Sequence, residues 1–152
     1  MDTRTRRATS ALGALAVLPL LATAACAPGG AQQDGGSGPA AITVEHALGT
    51  VELAAPPERV VTLSPADTDL ALALGVTPVA MAAFWGTDSG IAPWQEKALS
   101  GGDPAILRPD ADGAIPIEQV AAAEPDVILA TGLYTIDGQY ERLDQIAPTL
   151  AY

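Results

Sequence analysis

The chain has 152 residues, with seven Lys and Arg against 18 Asp and Glu and a formal charge of −11, which excludes nucleic acid as a partner and excludes anionic lipid bound through charge. One cysteine, Cys26, leaves no internal disulfide. The 111 residues from Ile42 to Tyr152 suffice for one small domain and not for two.

Arg4, Arg6 and Arg7 precede an apolar, Ala- and Leu-rich run from Ala11 to Ala25, the order of a secretory signal over residues 1–25. About 15 apolar residues fall short of the roughly 20 that span a bilayer, so cleavage is favoured over a retained membrane helix. Cys26, directly after Thr23-Ala24-Ala25, resembles the lipobox cysteine of bacterial lipoproteins. Its lipidation would anchor the exported chain to the outer face of the cell membrane, and simple cleavage of a soluble secreted chain is the alternative. Arg6-Arg7 also resembles a twin-arginine export signal. The rest of residues 26–41 is Gly, Pro, Ala, Gln and Ser with Asp34 as its one charge, the composition of a flexible tether. Without residues 1–25 the balance is four basic against 17 acidic side chains, or −13, so attachment to a membrane falls to the lipid itself.

Ile42 to Glu45 and Thr50 to Leu53 flank Leu48-Gly49 and read as a β-hairpin. Pro56-Pro57 end it, since proline removes ladder donors. Val60 to Leu63 is apolar on both faces, as suits a strand covered on both sides. Ser64 as N-cap, Pro65 at the first helical position and Asp67 two further on then start a helix. Leu70, Leu74 and the alanines between them give its apolar face, and Gly75 lies where a left-handed cap belongs. A right-handed crossover returns the chain to a parallel strand near Val79 to Met81, so the fold class is α/β.

Residues 82–90 form a Gly-rich loop in which Phe84 and Trp85 lie just past that strand's carboxyl end, where open parallel sheets keep their ligands. Ile91 to Leu99 reads as a short helix with Trp94 as its buried anchor. A short strand at Ala105 to Leu107 interrupts the irregular passage 101–113. Pro116 to Glu124 reads as a helix with Ile117, Val120 and Ala121 on one face, followed by a strand, Val127 to Ala130, and a loop, Thr131 to Thr135. A helix over Gln139 to Ile146, with Tyr140, Leu143 and Ile146 or Ala147 inward, leads to a last strand from Thr149. A final strand with no helix after it leaves sheet surface uncovered. Residues 42–152 therefore read as an incomplete lobe, with a naturally short protein as the alternative.

Chemistry-bearing patterns are sparse. His46 is the lone histidine and suits a hydrogen-bonded role better than ligation, so no metal site is expected. There is no Ser/His/Asp arrangement and no phosphate loop, and Asp67 and Asp69, two apart on a helix, do not face each other. No enzyme is expected.

The segments Pro57 to Val79, Ile115 to Ala130 and Ile146 to Thr149, in this order and spacing, resemble the N-terminal lobe of the siderophore and vitamin B12 periplasmic-type binding proteins. The hairpin Ile42 to Thr50 and the loop Gly90 to Trp94 are similar to the iron-siderophore branch of Gram-positive bacteria, especially actinobacteria. The resemblance implies a class III architecture, two α/β lobes joined by one long helix, of which 42–152 is the N-terminal lobe and the second is absent. It implies a ligand held between the lobes and delivered to an ABC transporter permease. No resident cofactor is implied, iron arriving indirectly as a ferric siderophore.

Under that resemblance Ser64, Phe84, Trp85, Tyr134 and Thr135 form the ligand wall. Trp85 and Tyr134 offer rigid amphipathic faces to a large chelate, whereas Ser64 is divided between capping and contact. Asp137, Glu141 and Asp144 are candidates for docking basic residues of the importer. Arg59, Arg108 and Arg142 are not placed in the cleft, so either a second lobe supplies positive charge or the ligand is neutral or cationic. A corrinoid or haem receptor of the same fold, a secreted α/β enzyme fragment and a structural cell-envelope domain are the competing readings.

Overall fold

The computed structural model describes residues 41–110, 112–134 and 136–152. The expected signal, Cys26, nearly all of the tether and Thr135 lie outside the described residues. Strands β1 (Ile42–His46) and β2 (Gly49–Leu53) form an antiparallel hairpin in which Val44 pairs with Val51. The remaining strands, β3 (Val60–Thr62), β4 (Ala80–Ala82), β5 (Ala105–Leu107), β6 (Val127–Ala130) and β7 (Thr149–Ala151), build a parallel sheet in the order β5-β4-β3-β6-β7. Between them lie α1 (Pro65–Ala73), α2 (Pro93–Ala98), α3 (Ile117–Ala122) and α4 (Tyr140–Asp144). Among the described residues no helix is long and apolar enough to cross a membrane.

The strand order dictates the layers. The chain steps one way from β3 through β4 to β5, then restarts at β6 and steps the other way to β7. Right-handed crossovers place the connecting helices of the two halves on opposite faces. Paired residues of parallel strands share a face, so Val61, Ile128 and Thr149 lie on one side and Thr62, Leu129 and Leu150 on the other. The first side packs Val61, Leu63, Ile128, Ala130 and Ala151 against Val120 of α3 and Leu143 of α4. On the second, Val60 and Val127 pack against Val51 and Leu53 of the hairpin, while α1 covers the neighbouring strands.

Helix α1 begins as its sequence dictates. Ser64 Oγ accepts the Asp67 amide at 3.1 Å, Pro65 opens the helix, and Gly75 follows its end at φ +78°, a conformation that favours glycine. The inward face differs from expectation. Asp67, Thr68 and Ala71 are buried, whereas Leu70 and Leu74 are 59% and 81% exposed. The cap fixes where the helix starts, and a buried 2.7 Å hydrogen bond between the hydroxyls of Thr62 and Thr68 turns that side to the sheet. Leu70 and Leu74 instead line an open apolar groove of about 350 Å³ with Leu53, Val60, Leu129 and Leu150. In α3, likewise, Val120 is buried but Ala121 is exposed.

Arg59 joins the two halves at the amino end of the sheet. Its guanidinium donates to the Ala123 and Glu124 carbonyls at 2.5 and 2.7 Å, satisfying orphan acceptors at the end of α3. Asp126 returns the favour by accepting the amides of Glu58 and Arg59 at 2.7 and 3.0 Å. That end is occupied by structural bonds, and the carboxyl end carries the longer loops.

Candidate functional site

All five strands of the sheet run in one direction, so their carboxyl ends form one edge on which β5, β4, β3, β6 and β7 present, in that order, Arg108, the Phe84-Trp85 loop, Ser64, the Thr131–Tyr134 loop and Tyr152. Neighbouring strands lie about 4.8 Å apart, so the tips of β4 and β6, two strands apart, are separated by roughly 10 Å. Trp85 is 91% exposed and Tyr134 92%. Two rings thus stand in water on either side of β3, with nothing of the described chain covering them. Thr135 lies outside the described residues.

Local bonds hold the β4 loop in shape. The Phe84 amide donates to the Gly90 carbonyl at 2.7 Å, closing the loop at its base. The half-buried Phe84 ring lies 5.5 Å from Trp85, tilted by 34°, and meets Trp94 edge-on at 5.2 Å and 72°, separations at which aromatic pairs attract. Trp94 is therefore not the buried anchor expected of it. It is 57% exposed, and its indole N–H is shared by the two Asp69 carboxylate oxygens at 3.0 and 3.2 Å. The residue that does anchor α2 is Gln95, 1% exposed. It donates to Asp69 at 2.7 Å and accepts the Ala92 amide at 3.1 Å. Sequence reasoning passed over Gln95, whose only signal was its position as the third residue of α2.

Ser64 stands at the same edge but is nearly covered. It is 5% exposed; its hydroxyl donates to Asp67 Oδ2 at 2.7 Å and accepts the Asp67 amide. The helix cap thus takes the hydroxyl's proton and one of its two lone pairs. Arg108 moves the other way. It follows β5 immediately, its side chain is exposed, and its guanidinium donates to the Asp88 carbonyl at 2.7 Å. A positive charge thus stands at the same sheet edge as Trp85, whereas Arg59 lies at the opposite end. The signal available beforehand was the strand Ala105 to Leu107, which makes the next residue a tip residue.

Past β6, Asp137, Glu141 and Asp144 are all exposed on and before α4. His46 sits beneath them, where its Nδ1 accepts the Leu48 and Ala151 amides at 3.4 Å and its Nε2 faces the Tyr140 hydroxyl at 3.4 Å. That fastens the hairpin to β7 and α4, in keeping with a hydrogen-bonded histidine. Tyr140 has its pKa raised above the usual 10.0, first because burial disfavours the phenolate and second because the Asp144 carboxylate repels it. A cavity of about 410 Å³ at the tips of β6 and β7 is lined by His46, Thr131, Leu150 and Tyr152 among others. Among the described residues no three His, Cys, Asp or Glu side chains converge as metal ligands.

A parallel α/β sheet with exposed aromatic rings and a guanidinium at its carboxyl edge has the architecture of one lobe of a class III periplasmic binding protein. Residues 60–152 match the periplasmic binding protein family, and the chain belongs to it. Among curated relatives, the probable siderophore-binding lipoprotein YfiY of Bacillus subtilis is 31% identical over 109 residues, covering 71% of this chain and 32% of that protein. Among solved structures, a periplasmic solute-binding protein of Mycobacterium smegmatis is 41% identical with a TM-score of 0.63, covering 73% of this chain and 39% of that one. PiaA of Streptococcus pneumoniae in complex with ferrichrome is 33% identical with a TM-score of 0.64, covering 73% and 38% respectively. The chain thus spans about a third of the length of the curated relative it matches.

Proposed function

We propose that this chain supplies one wall of an extracytoplasmic receptor that captures a ferric siderophore and delivers it to an ABC-type importer, held to the outer face of the cell membrane by lipid on Cys26. The observation that carries the reading is the pair of uncovered rings, Trp85 and Tyr134, on the tips of the strands flanking β3. Large flat side chains lose little entropy on binding and suit a bulky organic chelate. Arg108 on the same edge suits the anionic oxygens of such a chelate. Phe84 packs against both indoles, and Thr135, next in the sequence after Tyr134, is a further candidate contact. Iron enters as cargo inside its chelate and needs no protein ligand, and the exposed Asp137, Glu141 and Asp144 are suited to basic residues of the permease. No bond is made or broken in this role. YfiY's description as a siderophore-binding lipoprotein and PiaA's complex with ferrichrome support the reading.

Isothermal titration of the complete gene product with a panel of ferric hydroxamate and catecholate chelates tests it. At least one chelate binds, and Trp85→Ala and Tyr134→Ala each weaken that binding by about 10-fold, the size of one aromatic contact. Because both side chains are solvated in the free protein, its melting temperature stays nearly constant. Absence of heat with every chelate would overturn the proposal.

A further inference from the structure

Asp67 is 1% exposed, yet its carboxylate gathers four donors from two separate loops. Ser64 Oγ donates to Oδ2 at 2.7 Å and Thr131 Oγ1 to Oδ1 at 2.5 Å, while the amides of Thr131 and Gly132 donate to Oδ1 and Oδ2 at 3.2 and 3.4 Å. Only the bond from the Asp67 amide to Ser64 Oγ is needed for capping α1. An acidic residue in a first helical turn serves the helix dipole as well from an exposed position. The three bonds to Thr131 and Gly132 reach 64 and 65 residues along the chain and fasten a different strand's loop.

The fit around that carboxylate is close. A Cβ on Gly132 would overlap Ser64 Oγ and crowd Ser64 Cβ at 2.9 Å, so the β6 loop runs directly against the α1 cap with no room for a side chain. Two residues further on, Tyr134 leaves the surface with no cover of its own. Where it points is therefore decided at its base.

We propose that Asp67 is a positioning residue for ligand capture: it clamps the β6 loop to the start of α1, so that Tyr134 projects from a base already fixed before the ligand arrives. The inference rests on the reading of Tyr134 as a ligand contact. Asp67 itself touches no ligand and acts through Thr131 and Gly132. A clamped loop has less freedom left to lose on binding, which raises affinity without adding a contact.

Asp67→Asn and Thr131→Val in the complete gene product test this, read by amide hydrogen exchange and by titration with the ferric chelate that the unaltered protein binds best. Asparagine keeps the size but replaces one acceptor oxygen by a donor. Valine, at an exposed position, removes one of the four donors with little risk to folding and keeps the test alive if Asp67→Asn does not fold. Exchange at Thr131 and Gly132 is expected to quicken at least 10-fold and affinity to fall about 10-fold, while the Leu63 amide, bonded to the Leu129 carbonyl at 2.8 Å, keeps its protection. Unchanged exchange at Thr131 and Gly132 in both variants would overturn the clamp. Unchanged affinity in these variants, where Tyr134→Ala does weaken binding, would overturn the positioning role alone. Unchanged affinity in all three would instead remove Tyr134 from the ligand wall and the proposal with it.

Discussion

Tyr140 shows how one side chain's surroundings become a measurable property. Its neutral phenol is favoured by burial and by the Asp144 carboxylate, so the folded state holds the proton more tightly than the unfolded chain does. A raised folded pKa contributes stability that is intact below the unfolded value of about 10 and is lost as pH rises through the folded value. Alkaline unfolding should therefore steepen above pH 10, and Tyr140→Phe should flatten that part of the profile; an unchanged slope would show that burial there is not felt. The aromatic and polar positions differ in how far sequence alone could place them. Trp85 and Tyr134 were legible as tip residues because each follows a short, largely buried apolar strand. Ser64 was legible as a cap from Pro65 and Asp67 beside it, and its hydroxyl does bond the Asp67 amide and carboxylate. Trp94 was not legible, since its partner Asp69 lies 25 residues earlier and only the packing of α2 on α1 brings them together.

Among the elements, α1 separates the signals that sequence carries well from one that it carries poorly. Both ends were readable, because caps are local chemistry. The inward face was not: Leu and Ala alternate from Leu70 to Leu74 and define no clear helical stripe, so a buried hydroxyl pair decides the rotation. The two kinds of position should respond unequally to substitution. Gly75→Ala meets no atom within 4 Å but must hold φ at +78°, at a cost of about 1 kcal/mol. Leu74→Ser removes a side chain that is 81% exposed and should change stability by no more than about 0.5 kcal/mol. Urea denaturation of both variants checks the contrast, and a larger loss for Leu74→Ser would contradict the orientation of α1.

For the molecule as a whole, the α/β class, the hairpin, every strand among the described residues and the parallel pairing were readable from short apolar runs punctuated by Pro, Gly and caps. The sheet's strand order was not, because local pattern does not say which strand lies in the middle. With β3 at the centre and β5 at one edge, native-state hydrogen exchange should find the slowest amides on β3 and β6 and much faster ones on β5; equal protection across the sheet would contradict the order. The aromatic cluster has a practical consequence at this scale. The chain contains two tryptophans, and both indoles lean on the same phenylalanine at the sheet's carboxyl edge. Ultraviolet emission from this chain therefore originates almost wholly at that spot, giving a native optical gauge that dims or shifts when something settles there and stays silent about events elsewhere in these residues.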